Sequence, residues 1–379
     1  MTRLWDDLVG HDSVIVRMRS DAANADTVAQ AWLITGPAGS GRSLIARAFA
    51  AQLLGAGRDS DEVDTQVVSL THPDLTVLTT DRVLIAIDEV RDVVEASYRS
   101  PVVAPWRVVI IEDADRMAER TSNVLLKALE EPPPRTVWLL CAPSEADVIP
   151  TIRSRVRSVR LGVPAIPDIA QMLVERDGVD PAIAEQAARH AQSHIGMARR
   201  LATSPEARER RDRSLRRVLE VASVSGAVGA AADIIGLATD DAKAYTEARD
   251  STERAEFLQR LGIASGEAVP PALRAQVRAL EENHKRRATR SLRDGVDRVL
   301  TDLESLFRDI VVIQLDGRVP LTNAELRPQM EAWLELHDAE HAIRVIDAIS
   351  TARQRIDRNV TPLLALEALF VVSSGLVTS

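Results

Sequence analysis

Apolar runs of strand length alternate with amphipathic stretches over about the first 160 residues, and the pattern then changes. Ala31–Thr35 is a short apolar run that ends in a Gly-rich turn, and Leu44–Leu54 then reads as a helix. Asp74–Leu78 is a second strand candidate, followed by a helix through Val90, Val93 and Val94. Val108–Ile111 is fully apolar and β-branched, Val124–Leu129 has helical spacing, Val137–Cys141 is apolar again, and Ser158–Leu161 closes the series. Strands with no polar face, separated by helices, predict a parallel sheet covered on both sides.

Beyond Pro164 and Pro167 the periodicity is almost wholly helical. Ile166–Val174 and Ala182–His190 suit a small helical domain ending near Arg208, and Glu206–Arg217 reads as a helix continuing into a third domain. Glu220–Leu237 is rich in Ala and Val, Pro270–Arg293 is charged, and Val296–Leu315, Glu340–Ile356 and Pro362–Ser373 have the spacing of bundle helices. The predicted division is therefore 1–163, 164–208 and 209–379, an α/β domain followed by two all-α domains. A length of 379 residues suits two or three domains.

Composition narrows the chemistry. Aromatics make up 3% of the chain, so cores are aliphatic and stacking platforms for bases are few. A net charge of −9 argues against a surface that coats nucleic acid throughout. Cys141 is the sole cysteine, which excludes a disulfide framework and a thiolate zinc site within the chain. Met1–Gly10 has no basic-then-apolar pattern and no apolar run approaches the roughly 20 residues that span a bilayer, so a cytoplasmic location without membrane contact is expected.

The turn Gly36-Pro37-Ala38-Gly39-Ser40-Gly41-Arg42-Ser43 follows a strand and opens a helix, the setting in which backbone N–H groups converge on phosphate. Gly36, Gly39 and Gly41 supply the turn and Ser43 occupies the place of a Mg²⁺-binding hydroxyl. Arg42 stands where the motif has Lys, replacing a compact ammonium with a larger planar fork. The apolar run Val108–Ile111 ends in Glu112 and Asp113, like the acidic end of a Walker B strand, but the working order is Asp then Glu. A misplacement of about 1 Å can cost roughly 100-fold in rate, so both departures point away from hydrolysis at this site.

Asn123-Val124-Leu125-Leu126-Lys127-Ala128-Leu129-Glu130-Glu131-Pro132-Pro133 closely resembles the helix-and-proline segment of bacterial clamp-loader subunits of the AAA+ class, and Thr151-Ile152-Arg153-Ser154-Arg155-Val156 resembles their serine–arginine motif, with Val156 in place of Cys. Gly196-Met197-Ala198-Arg199 is similar to the sensor 2 element, Met197 replacing the usual Ser, and Ala142 stands where sensor 1 has a polar residue. Thr71-His72-Pro73-Asp74 and Ile87-Asp88-Glu89-Val90-Arg91 also resemble family segments. The resemblance is strong over 1–205 and returns at Arg358–Glu367, whereas 240–295 resembles a helical excursion of the actinobacterial delta-prime type. One departure is large: the four-cysteine zinc module is missing, and Gly55–Leu70 is expected to form a shortened, metal-free loop.

The resemblance implies a five-stranded parallel AAA+ core, a helical lid and a collar domain used for oligomerisation. It implies delta-prime character: a stationary subunit that presents Arg155 in trans to the γ-phosphate held by a neighbour, with Arg199 as the sensor 2 residue. The implied partners are the tau/gamma motor subunits and delta, and through the complex the sliding clamp and primed DNA. No cofactor is required, ATP or ADP with Mg²⁺ being at most residual, and no metal or zinc is expected. An ATP-hydrolysing tau/gamma-like motor and a non-replicative P-loop regulator are the alternatives. Lys285, Arg286, Arg287, Arg290 and Arg293 are basic positions suited to DNA or to a solvated helix face, and interruption by Glu281 and Glu282 favours the latter.

Overall fold

The computed structural model describes residues 2–24, 28–56, 60–80, 84–260, 263, 270 and 273–375. The chain divides into two compact units, Met1–Thr203 and Ser204–Ser379.

The first unit is built on five parallel strands: β1 (Ala31–Thr35), β2 (Leu75–Leu78), β3 (Arg107–Ile111), β4 (Thr136–Ala142) and β5 (Arg157–Arg160). Their order in the sheet is β2-β3-β4-β1-β5. The three central strands are buried along their whole length, whereas β2 and β5 are edges with partly exposed positions, which is why the apolar runs of β1, β3 and β4 are unbroken. Side chains alternate between two cores. On one face Trp32, Ile34, Val108, Ile110, Val137 and Leu139 pack with α1 (Asp12–Ala23) and α2 (Arg42–Leu54). On the other, Leu33, Val109, Ile111, Trp138 and Leu140 pack with residues that follow in the chain.

The segment after α2 differs from the loop expected there. Residues 57–59 lie outside the described residues, but Ser60–Val68 forms a helix, α3. Val63 and Val67, four positions apart, bury one helical stripe in the core beside α2, and the Asp64 carboxylate accepts from the Arg3 backbone N–H at 2.8 Å. Two apolar positions and one buried carboxylate anchor this helix. α4 (Ile87–Ser97) and α5 (Glu119–Glu130) cover the second face through Val90, Val93, Leu125, Ala128 and Leu129. The four-residue α6 (Pro150–Arg153) precedes β5. Helices α7 (Ile166–Asp177), α8 (Pro181–His190) and α9 (Ile195–Thr203) pack on one another, α7 being closed by Gly178 in the left-handed region.

The second unit is all helical among the described residues: α10 (Pro205–Leu219), α11 (Val224–Arg260), α12 (Arg274–Gln314), α13 (Arg327–Leu334), α14 (Ala339–Asp357) and α15 (Pro362–Ser373), with a short 3-10 turn before α13. Pro270–Arg293 and Val296–Leu315, read separately in the sequence, fall largely on the single helix α12, which runs through Gly295. A Cβ at Gly295 would lie 3.7 Å from Ala238, an ordinary van der Waals contact between α12 and α11. Ala227, Ala230, Ala231, Ile234 and Ala238 present one stripe of α11 to the core formed by Leu303, Phe307, Ile310, Trp333, Ile349 and Phe370. A buried polar network crosses this core: Arg211 donates to Asp302 at 3.0 Å and to Asn323 at 2.6 Å, and Asn323 donates to Asp309 at 3.0 Å. Among the described residues no helix is long and apolar enough to cross a membrane.

Candidate nucleotide site and interface arginine

The Gly-rich turn sits at the C-terminal end of β1, a central strand flanked by β4 and β5, where open parallel sheets bind ligands. Gly41 caps α2 with φ +94° and Gly39 has φ +76°, so both glycines provide backbone that side-chain-bearing residues seldom adopt. A Cβ on Gly39 would fall 2.2 Å from Cγ of His194, and the Ile195 N–H donates to the Gly39 carbonyl at 3.3 Å. The start of α9 is thus packed directly on the turn. His11 donates from Nε2 to the Ser40 carbonyl at 3.0 Å on another side.

Arg42 and Ser43 open α2 and are half-buried. The Arg42 guanidinium donates to the Gly36 carbonyl, folding back on its own turn. Glu112 follows β3 directly and is held by Arg47 of α2 at 2.9 Å. Asp113 takes a left-handed conformation with φ +55° and lies 3.8 Å from Arg116. Burial pushes the Asp115 carboxyl up, and the charge of Asp113 adds to the shift. Cys141 is inert: burial first, then the Glu112 charge, raises its thiol to about 12. Ala142 ends β4 opposite Thr35, with no polar group at the tip.

These contacts bear on whether Mg²⁺–nucleotide fits for hydrolysis. The first carboxylate after β3 is paired with a guanidinium, and the Arg at the lysine position donates to a backbone carbonyl of its own turn. The turn keeps the shape of a phosphate cradle. Among the described residues no group of three or more His, Cys, Asp or Glu is placed to hold a metal ion.

Arg155 lies apart from this turn, between α6 and β5, with its side chain one-third exposed. It donates from Nε to Glu130 at 2.7 Å and from Nη1 to the Thr151 carbonyl at 2.7 Å. Arg199 is exposed on α9 and pairs with Asp177 at the end of α7, while His194 and Ile195 make the contacts to the turn. In the second unit Lys285 is exposed and Arg293 donates to Asn359 at 2.8 Å; the side chains of Arg286, Arg287 and Arg290 lie outside the described residues. Arg47, His11, His194 and Glu130 were not singled out from sequence. The signal for Arg47 is available, since it is the one charged residue of α2 after Arg42.

The strand order, the glycine turn after β1 and the acidic end of β3 define a P-loop domain of the AAA+ class. Residues 11–164 match the family model described as DNA polymerase III, delta subunit. A DNA polymerase III subunit delta' from Pseudomonas aeruginosa is 38% identical over 135 residues, 34% of this chain and 41% of its own length. A subunit gamma/tau from Mycobacterium tuberculosis is 30% identical over 156 residues, 39% of this chain and 27% of its own. The matched regions thus span less than half the length of these relatives. A gamma subunit-related protein from Thermotoga maritima superposes with a TM-score of 0.45 at 15% identity, covering 96% of this chain and 98% of its own. Over residues 11–164 the chain is similar to the clamp-loader subunits of DNA polymerase III, and over part of that region to subunit delta'.

Proposed function

We propose that the chain is the stationary subunit of a clamp loader, silent as an ATPase itself and supplying Arg155 in trans to ATP held by a neighbouring subunit. The observation that carries this reading is the contrast between two charged groups. Glu112, where a catalytic site needs a free carboxylate, is paired with Arg47 at 2.9 Å, whereas Arg155 is kept at the surface. A guanidinium that meets the charge developing on a transferred phosphoryl group needs access and orientation, not burial.

In this reading the motor subunits of tau/gamma type and delta are the partners, and the complex loads the sliding clamp on primed DNA. Residues 1–163 act as the core, 164–208 as the lid, with Arg199 as its sensor 2 residue, and 209–379 as the collar that joins the ring. ATP or ADP with Mg²⁺ is not required in the chain's own turn. The test is direct: the isolated chain, incubated with Mg²⁺ and ATP with and without primed DNA, turns over no ATP above a blank. Turnover comparable to that of a motor subunit, on the order of 1 s⁻¹ or faster, would instead make it a tau/gamma-like motor.

A further inference from the structure

We infer that Glu130 is a positioning residue for Arg155, holding the guanidinium in the geometry in which it meets a neighbour's nucleotide; this rests on the trans role proposed for Arg155. Both groups lie in segments the sequence marks, the helix-and-proline segment and the serine–arginine motif, but only the fold brings them together. Glu130 is the last residue of α5 and Arg155 follows α6, twenty-five positions on.

The guanidinium is fixed from two sides. Nε donates to Oε1 of Glu130 at 2.7 Å and Nη2 reaches the same oxygen. Nη1 donates to the Thr151 carbonyl at 2.7 Å and to the Ser154 hydroxyl at 3.0 Å, and Ser154 in turn donates to Thr151 at 3.0 Å. Arginine has five N–H donors in a rigid fork, so these contacts define its plane and leave donor capacity on Nη2 for a phosphate oxygen. A long side chain otherwise loses considerable rotamer freedom when it engages a ligand, and prior fixation lowers that cost.

Helix stability does not account for the carboxylate. Glu130 sits at the C-terminal end of α5, where the helix dipole disfavours negative charge, and the adjacent Glu131 is exposed as well. Its placement is explained by the arginine opposite it. The carboxylate is itself about half exposed, so the hold is exchangeable and does not lock the arginine away.

The experiment is a double-mutant cycle on the reconstituted loader, reading DNA- and clamp-stimulated ATPase with Mg²⁺–ATP. Glu130→Ala lowers kcat roughly tenfold and leaves KM for ATP within about twofold, the scale of effect seen when a supporting partner of a functional group is lost. Glu130→Gln, whose amide oxygen still accepts from Nε, recovers a large part of that loss. In an Arg155→Ala background Glu130→Ala changes nothing further, because both act through one group. Melting temperatures and subunit association of all variants match the wild type. If Glu130→Ala turns over at or above the wild-type rate while Arg155→Ala is defective, the positioning role is wrong and the trans role stands. An equal loss in both backgrounds also overturns it. If Arg155→Ala is itself neutral, the trans role fails and takes this inference with it.

Discussion

Arg155→Ala lowers the DNA- and clamp-stimulated ATPase of the reconstituted loader by about 10³-fold at the site this subunit serves, while the variant folds and assembles normally. The magnitude follows from the chemistry: a guanidinium supplied to the developing charge of phosphoryl transfer is worth roughly 10³ to 10⁵ in rate. The selectivity follows from its surroundings. Arg155 is one-third exposed and its partner Glu130 about half exposed, and a surface ion pair of this kind contributes about 0–1 kcal/mol to folding. Truncation therefore removes a function without removing a structural support. Arg155→Lys recovers little, because an ammonium keeps the charge but cannot hold Glu130 by Nε and offer a second edge at the same time. Steady-state ATPase and the thermal melting of the isolated chain together check both halves of this expectation.

The largest effect on stability belongs to Asp74→Ala. The Asp74 side chain is fully buried and accepts from the backbone N–H groups of Val102, Val103 and Ala104 at 2.6, 2.7 and 2.8 Å, with Arg107 3.4 Å away. This one carboxylate ties the start of β2 to the segment that enters β3. Alanine leaves three N–H groups without their acceptor and removes the carboxylate beside Arg107, which keeps only the Arg99 and Ser100 carbonyls, and breaking such a site costs about 3–5 kcal/mol. Calorimetry of the chain shows the loss as a lowered melting temperature. Burial on its own would raise the Asp74 carboxyl, but the three backbone donors and Arg107 outweigh it and hold the group below its ordinary value. A depressed carboxylate stabilises the fold above the unfolded value of about 3.9, and that contribution is lost as pH falls through the lower folded value. Wild-type stability at this site is therefore flat above pH about 5 and declines in acid, and Asp74→Ala removes that part of the decline.

Much of the first domain was legible because its signals are local. The apolar β-branched run before Glu112 is a central strand, and the glycine turn after Ala31–Thr35 opens a helix as its composition requires. Pro362–Ser373 was read to the residue, since a proline at its first position and a dense apolar stretch mark both ends. What escaped was set by tertiary contact. α3 has only two buried valines among polar residues, too weak a periodicity to stand out beside a missing metal module. The single helix α12 runs through Gly295, a residue whose low helix propensity suggests a break there. The pairings of Glu112 with Arg47 and of Arg155 with Glu130 join residues 65 and 25 positions apart, and nothing along the chain announces either partner. The pairing of Arg199 with Asp177 and the contact of His194 with the turn likewise come from the fold and not from the chain pattern.

In the proposed role this chain acts on a neighbour's nucleotide and not on its own. The most direct measurement compares DNA- and clamp-stimulated ATPase of loaders assembled with wild-type chain, with Ser43→Ala in its own turn, and with Arg155→Ala. The expected result is that Ser43→Ala stays within about twofold of wild type while Arg155→Ala collapses by orders of magnitude. A collapse with Ser43→Ala and a near-normal rate with Arg155→Ala would contradict it, and would make the chain a motor.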